Sequence, residues 1–327
     1  MIHAVPTPLR LAFSLLLGLA ASAALPSAHA AGVEIREQDG RLRIEIGGRL
    51  FSEYHYQNVS RPFLYPILGP GDAPMTRNWP MKEVAGEEKD HPHHRSLWWA
   101  HGAVNGVDFW SEAANAGKTV HDKFLEIKSG PDAGVIRTAN KLIAKDGTLV
   151  ATSEQTIRIL NRTDDRIIDF EVTVFASQGP LTFGDTKEGT MALRLNESMR
   201  LIRDKKPGAG HIVNSEGVRD GETWGKRANW VDYYGPVDGK TVGVAMFDHP
   251  ANPRHPTHWH VRDYGLFAAN PFGIHDFEKK PAGAGDLKVA AGEKITFRYR
   301  FFFHAGDDQQ AKVAARYQDY VQTAGRP

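Results

Sequence analysis

Hydrophobic residues recur at every second position over several stretches of this chain. In the stretch 166–175 the apolar face is formed by Ile168, Phe170, Val172 and Val174. The positions between them include Asp169 and Glu171. A period of two over eight residues predicts a β-strand with one face buried and the other polar.

The same alternation predicts further strands and the turns that join them. Arg41–Ile46 and Arg49–Tyr54 flank Gly47-Gly48, which predicts a hairpin. The segments 156–160 and 166–175 flank a polar loop and predict a second antiparallel pair. The pattern also predicts strands over Thr241–Phe247 and Lys294–His304. In the last of these, Arg298 and Arg300 lie opposite the apolar face, towards either water or a cleft.

Only the C-terminal segment has a clear helical pattern. Asp307 is a suitable N-cap for a helix over Asp308–Thr323, with Ala314, Tyr317 and Val321 on one side. Many strands, one helix and no alternation of strands with helices predict an all-β fold. We expect a large antiparallel β-sandwich with a C-terminal helix. No linker or repeat divides the chain, so residues 31–327 are predicted to form a single domain.

The first 30 residues are typical of a secretory signal peptide rather than of the fold. Arg10 precedes the apolar run Leu11–Leu25, and Ala28-His29-Ala30 matches a small-residue cleavage site. The alternative is an uncleaved membrane anchor, but the run is shorter than the ~20 residues that span a bilayer. We therefore predict cleavage before Ala31 and a secreted protein, with the bacterial periplasm as its location. No later apolar run is long enough for a membrane span.

Composition narrows the possible functions. The 40 basic and 39 acidic side chains give a formal charge of +1, which argues against a nucleic-acid partner. The absence of cysteine excludes disulfides, thiolate metal sites and cysteine nucleophiles. No glycine-rich phosphate-binding motif occurs, so no nucleotide cofactor is predicted. The oligomeric state is left open.

Histidines are concentrated in two short windows. Four lie in His91–His101 and four in His249–His260, out of 15 in the whole chain. Prolines within both windows predict loops, and loops on a rigid scaffold commonly carry functional residues. Histidine, arginine and tryptophan together fit a pocket for a small carbohydrate, because they supply proton transfer, hydrogen bonds and flat apolar faces.

A reaction on a sugar needs a proton donor and a proton acceptor. The predicted donor is one of His93, His94 and His260, and the predicted acceptor is Glu188 or Asp185. These groups would serve epimerisation, hydrolysis or elimination. The predicted substrate-binding residues are Arg95, Trp98, His101, Trp110, Arg227, Trp230, His255, His258 and His275. Arg95 and Arg227 would orient hydroxyl or carboxylate groups.

Two alternatives remain open at this point. A protein with the same pocket and no activity would be a sugar-binding protein. The spacing of His91 with His93, and of His258 with His260, would also suit a divalent metal ion. No ligand carboxylate follows either pair at a fixed spacing, so no cofactor is predicted and a metal enzyme is kept as the alternative.

Several motifs resemble those of a bacterial family of unknown function that carries the name methane oxygenase PmoA. They are His91–Trp99, Asn105–Trp110, Phe247–Pro250, Asn252–Pro256 and Ala269–Gly273. The resemblance extends over about residues 33–305. The methane oxygenase subunit of that name is a multi-helix membrane protein, so the name does not suit this mature chain. The family resembles those of carbohydrate catabolism.

A looser similarity connects the chain with the galactose mutarotase-like β-supersandwich. That resemblance implies about 300 residues, an early His–Arg loop, and a histidine and a carboxylate that act on a sugar. His94-Arg95 would be the counterpart of that loop.

Overall fold

The computed structural model describes residues 1–4 and 32–323. The strands are β1 (Val33–Gln38), β2 (Arg41–Ile46), β3 (Arg49–His55), β4 (Phe63–Ile67), β5 (Leu97–His101), β6 (Lys118–Lys128), β7 (Ala133–Ile143), β8 (Leu149–Leu160), β9 (Arg166–Phe175), β10 (Leu181–Phe183), β11 (Gly189–Arg194), β12 (Ile202–Arg203), β13 (Lys206–Pro207), β14 (His211–Asn214), β15 (Trp230–Val237), β16 (Lys240–Asp248), β17 (His258–Val261), β18 (Leu266–Asn270), β19 (Leu287–Val289) and β20 (Lys294–Ala305). The helices are α1 (Ile274–Glu278) and α2 (Val313–Thr323). The predicted cleavage site lies outside the described residues, so the signal peptide stays a prediction.

Two eight-stranded antiparallel sheets form the body of the protein. The first has the order β1-β2-β3-β4-β5-β11-β18-β17, and the second has the order β14-β15-β16-β20-β9-β8-β7-β6. Their facing sides share one hydrophobic core, to which Leu42 and Trp99 contribute from the first sheet and Val172 and Phe297 from the second. The predicted all-β antiparallel sandwich is therefore confirmed.

The alternation of apolar and polar residues explains the pairing of the strands. β2 and β3 form the predicted hairpin, and β8 pairs with β9 across the predicted loop. In β20, Arg300 donates to both carboxylate oxygens of Asp169 at 2.5 and 2.8 Å, and Arg298 donates to Glu171 at 2.6 Å. The two arginines of the polar face thus form ion pairs on the outer face of the second sheet.

The C-terminal helix is shorter than predicted. Asp307 accepts hydrogen bonds from the backbone N–H groups of the next turn, but Lys312 has a φ of +55°. A left-handed residue ends a helical turn, so α2 begins only at Val313. The predicted buried side is also corrected: Val313, Tyr317 and Tyr320 are buried, whereas Ala314 is exposed and Val321 is half-buried.

The first sheet is buried on both faces near its centre. Alternate residues of β5, β11 and β18 leave the main core and form a second cluster around Trp98 and Ala192. Loops before and after β5 cover this outer face. The loop before it carries His91, His93 and His94, whereas His101 is the last residue of β5 itself and not in a loop as predicted. Within residues 1–4 and 32–323, no helix has both the length and the hydropathy of a membrane span.

Candidate functional site

A cavity of about 450 Å³ lies among these loops. Its lining residues come from segments that are far apart in the sequence: His91, His93, His94, Gly102, Asp108, Trp110, Ser111, Thr186, Lys187, Glu188, His260, Arg262 and Tyr264. The cavity has the size of a small-molecule pocket. Its lining combines imidazoles, carboxylates, cations and two aromatic rings.

Five of the residues singled out from the sequence line this cavity. His93 and His94 come from the first histidine window, and His260 comes from the second. Trp110 and Glu188 lie on the same cavity. Each window therefore contributes to the site, but the second contributes a single histidine.

The other histidines of the second window stabilise their own loop. The buried carboxylate of Asp248 lies 2.7 Å from Nδ1 of His255 and accepts the backbone N–H of Thr257 at 2.9 Å. Nε2 of His258 lies 2.8 Å from Oε1 of Glu278. Neither His255 nor His258 lines the cavity, so neither is placed to contact a ligand bound there.

Asp185 also lies outside the cavity. Its carboxylate accepts the backbone N–H of His275 at 3.0 and 3.1 Å and that of Gly285 at 2.8 Å. These bonds join two loops. Nδ1 of His275 lies 2.7 Å from the carbonyl oxygen of Lys280, which places that ring in the same loop structure.

The two arginines predicted to orient substrate have partners elsewhere. Arg95 donates two hydrogen bonds to the carboxylate of Glu112 at 2.6 and 2.7 Å. Arg227 donates to the carbonyl oxygen of Pro256 at 2.9 Å. Both guanidinium groups hold loops together and do not line the cavity.

The remaining predicted binding residues are buried in the fold. Trp98 belongs to the cluster on the outer face of the first sheet, and its ring stacks against His94 with centroids 5.4 Å apart. Trp230 packs in the cluster beneath α2. His101 is fully buried, with Nε2 2.8 Å from the carbonyl oxygen of Gly184.

A larger cavity of about 560 Å³ lies between α2 and the outer face of the second sheet. Its lining includes the ion pairs of Arg298 with Glu171 and of Arg300 with Asp169, so much of its charge is already neutralised. His249 is its only histidine. The predicted catalytic residues His93, His94, Glu188 and His260 all line the smaller cavity, which is therefore the candidate site.

Asp90 organises one side of the site. Two buried guanidinium groups contact its carboxylate: Arg194, whose Nη2 donates at 2.9 and 3.1 Å, and Arg77. Burial alone would raise the pKa of Asp90, but the hydrogen bond from His91 and the charges of Arg194 and Arg77 hold it well below its usual range. Asp90 is therefore a permanent carboxylate.

His91 is the main functional residue that sequence reasoning did not single out as catalytic. Its Nδ1 lies 2.8 Å from Oδ2 of Asp90. Because an ionised carboxylate only accepts, Nδ1 carries a proton, and in the neutral ring the lone pair therefore lies on Nε2. The ring stacks with His94 at 4.7 Å and with Tyr264 at 5.1 Å between centroids. The Asp90-His91 pair in the sequence was the available signal.

His94 has the opposite tautomer. Nη1 of Arg194 lies 3.1 Å from its Nδ1, and a guanidinium only donates. The proton of the neutral ring therefore lies on Nε2. Burial, together with the neighbouring His93 and Arg194, lowers the pKa of His94 well below its usual value, so the ring stays neutral.

His260 is fixed in the same way by a different donor. The indole N–H of Trp224 donates to its Nδ1 at 2.9 Å, which places the ring proton on Nε2. Burial, with smaller effects from Arg262 and Lys187, lowers the pKa of His260 to about 3. The cavity is thus lined by two neutral imidazoles whose N–H position is set by their surroundings.

The contacts of His258 and His260 do not fit the metal pair predicted for them. A metal ion on Nε2 of His260 would require the ring proton on Nδ1, where Trp224 already directs an N–H group, and Nε2 of His258 lies against Glu278. His91 differs, since its Nδ1 faces the carboxylate of Asp90. The described residues contain no cluster of three or more His, Cys, Asp or Glu side chains arranged to hold a metal.

Glu188 and Lys187 are held by a well-anchored loop. The backbone N–H of Gly102 donates to the carbonyl oxygen of Glu188 at 2.7 Å, and Lys187 N–H donates to Asp276 at 2.9 Å. A Cβ atom on Gly102 would lie 2.9 Å from Cβ of Glu188, so only glycine allows this approach. Nζ of Lys187 lies 3.3 Å from Oε1 of Glu188, and both side chains remain partly exposed to the cavity.

The buried neutral histidines predict a dependence of stability on pH. Burial lowers the pKa of His101 to about 4 and that of His260 to about 3, whereas an unfolded histidine titrates near 6.5. The unfolded chain therefore takes up protons first on acidification. The contribution of these rings to the free energy of unfolding is fully present above about pH 7. It is lost as the pH falls from about 6.5 towards 4, by on the order of 1 kcal/mol per pH unit for each buried ring.

Urea unfolding at pH 7, 6 and 5 measures this effect. The free energy of unfolding of the wild type should fall across the series, and that of His101→Gln should fall less steeply, because one titrating group has been removed. Equal slopes for the two proteins would contradict the account of His101.

Several solved structures align with the chain at low identity. They include the galactosidase domain of an alpha-galactosidase-sucrose kinase (10% identity, TM-score 0.39, 84% of this chain and 42% of that chain), the alpha-galactosidase from Lactobacillus brevis (8%, 0.33, 86% and 41%) and the 4-alpha-glucanotransferase from Thermococcus litoralis (12%, 0.30, 83% and 39%). The chain spans less than half the length of each. At these TM-scores the likeness assigns neither substrate nor mechanism.

Comparison by sequence assigns the family. No curated protein matches the chain. Residues 41–318, which include every residue that lines the cavity, match a family of unknown function. The chain therefore belongs to the family DUF6807.

Proposed function

We propose that this protein binds a sugar in the cavity and acts on it by proton transfer. The observation that carries the proposal is the Asp90–His91 pair, which presents a lone pair on Nε2 to a cavity that also holds a carboxylate and fixed N–H donors. A histidine oriented by a carboxylate is an efficient general base near neutral pH.

The shape and lining of the cavity favour a sugar. About 450 Å³ accommodates one or two sugar rings with water. Trp110 and Tyr264 supply apolar ring surfaces, and most other lining side chains donate or accept hydrogen bonds. A ligand with apolar ring faces and many hydroxyl groups matches both features.

The geometry suggests roles that differ from those predicted. In this proposal His91 takes the proton, and the neutral His94 and His260 donate hydrogen bonds through Nε2 rather than protons. Glu188, predicted as the base, becomes the second proton-transfer group. Its carboxylate lines the cavity, and its backbone carbonyl is held by Gly102.

Binding of sugars is the first experiment. We expect at least one sugar from a panel of neutral, acidic and keto monosaccharides and disaccharides to give a calorimetric isotherm with the full-length protein. Glu188→Gln should weaken that binding at least tenfold, since a charged acceptor is replaced by an amide.

Glu293→Gln is the matched control. Glu293 is exposed in a turn and does not line the cavity, so this change should leave binding unaltered. Failure of every sugar in the panel to bind, or equal affinities for wild type and Glu188→Gln, would contradict the proposal.

A further inference from the structure

We infer that the sugar carries a carbonyl or carboxylate group beside the C–H bond from which His91 removes a proton. This inference rests on the proposed function, since it names the class of substrate for the same cavity. It also assigns the neutral histidines a task, which is to bind the oxygen that becomes negatively charged.

The cavity lining contains several obligatory hydrogen-bond donors. Lys187 and Arg262 line it and can only donate. His94 and His260 present N–H groups, so four lining side chains are donors. The lining also holds two carboxylates: Asp108, and Glu188, which pairs with Lys187. Carbonyl and carboxylate oxygens only accept, so the four donors suit an electron-rich oxygen of the ligand.

The two imidazole donors cannot change roles without breaking other bonds. Arg194 holds Nδ1 of His94 at 3.1 Å, and Trp224 holds Nδ1 of His260 at 2.9 Å. Each Nε2–H is therefore fixed as a hydrogen-bond donor before a ligand binds. Donors fixed in advance stabilise developing negative charge most effectively, and a neutral imidazole serves this purpose in enzymes that form enolates.

Arg194 couples the base to one of these donors. Its Nη2 contacts Asp90, which sets His91 as an acceptor, and its Nη1 contacts His94, which sets that ring as a donor. The two imidazoles stack almost in parallel, with centroids 4.7 Å apart and an interplanar angle of 10°. A base and an N–H donor side by side match a C–H bond beside a C=O group.

The proposed step is balanced in atoms and electrons. Nε2 of His91 takes the proton, and the electron pair of the C–H bond forms the C=C bond of an enolate. The former C=O π pair moves to oxygen, where the Nε2–H groups of His94 and His260 stabilise it. Return of the proton from His91 to the same face restores the substrate, with no other reactant.

Hydrogen exchange in D₂O tests the step directly. Three probes are incubated with the full-length protein and followed by ¹H NMR: a methyl glycoside, which has no free carbonyl, a hexuronic acid and a ketohexose. We expect the C–H signal beside the carboxylate or carbonyl to be lost with at least one of the last two probes, and no C–H exchange with the methyl glycoside. His91→Gln should slow the exchange at least 10²-fold.

His211→Gln is the control for loss of a histidine near a carboxylate. His211 is exposed on β14 with Nδ1 3.8 Å from Asp220 and does not line the cavity, so its replacement should leave exchange unchanged. A second variant keeps the inference testable if His91→Gln does not fold. Lys187 is 39% exposed, so Lys187→Met should fold and should weaken binding of whichever acidic or keto probe exchanges, at least tenfold.

The outcomes separate this inference from the proposed function. Binding and conversion of the methyl glycoside alone would leave the proposed function in place and overturn the inference. Acidic or keto sugars that bind without exchange, or an exchange that His91→Gln does not slow, would also overturn it. Failure of all sugars to bind would remove both.

Discussion

Replacing His91 with glutamine is expected to lower kcat/KM by 10²-fold or more, with a much smaller change in KM. Glutamine keeps a similar polar volume but has no group that accepts a proton at neutral pH. General-base catalysis contributes about 10²–10⁴-fold, so loss of the base should remove most of the turnover. The variant should fold normally, because the His91 side chain is 40% exposed.

A double variant checks whether His91 and Glu188 act together. Groups that act as a unit lose most of their effect in the first substitution. We expect His91→Gln combined with Glu188→Gln to be little slower than the slower single variant. If His91→Gln keeps near-full turnover while Glu188→Gln abolishes it, Glu188 is the base and the role given to His91 is wrong. A protein that binds sugar and shows no turnover in any assay would be the non-catalytic alternative.

Asp90→Asn is expected to have the largest effect on stability. The change removes the carboxylate shared by Arg77 and Arg194, whose side chains are both 0% exposed. Two buried cations would then face each other without their common anion, and loss of one partner from a buried ion pair costs about 3–5 kcal/mol. The free energy of unfolding from urea titration should fall by about 3 kcal/mol or more.

The matched control is Asp72→Asn. Asp72 accepts from Nη1 of Arg49 at 3.1 Å, and the two side chains are 44% and 62% exposed. Exposed pairs of this kind contribute less than about 1 kcal/mol. If Asp90→Asn costs no more than Asp72→Asn, the network around Asp90 does not stabilise the site as described.

The fold was predictable because a sheet with one buried face requires apolar and polar residues to alternate along each strand. The strands around Ile168 and Phe297 show period two, and the first of them pairs with β8 as predicted. The start of α2 was not predictable in the same way, since Asp307 is a suitable cap. The left-handed backbone of Lys312 ends the first turn, and no residue type in the segment signals it.

The candidate site was predictable only in part. Histidine density located His94 and His260 but also selected His255, which the buried Asp248 binds for structural reasons. The sequence does not show which carboxylate lies near which ring. A stronger signal was available in β11, where Arg194 stands alone in an apolar strand, because a buried arginine requires an anion nearby.

The role of His91 depends on contacts made through the fold. Arg77 and Arg194 come from segments that are distant in sequence, and together they fix Asp90. Only with Asp90 fixed is the tautomer of His91 defined, and only with Arg194 placed is the tautomer of His94 defined. These assignments follow from distances between atoms, which spacing along the chain does not supply.

The central claim is that one cavity holds an imidazole acceptor beside two imidazole donors. Long-range ¹H–¹⁵N NMR of the histidine rings at pH 7 measures this most directly, with His91→Gln, His94→Gln and His260→Gln for assignment. The account predicts that Nδ1 of His91 carries a proton and that His94 and His260 are neutral and protonated on Nε2. Protonation of His94 and His260 on Nδ1, or a positively charged ring at either position, would contradict it.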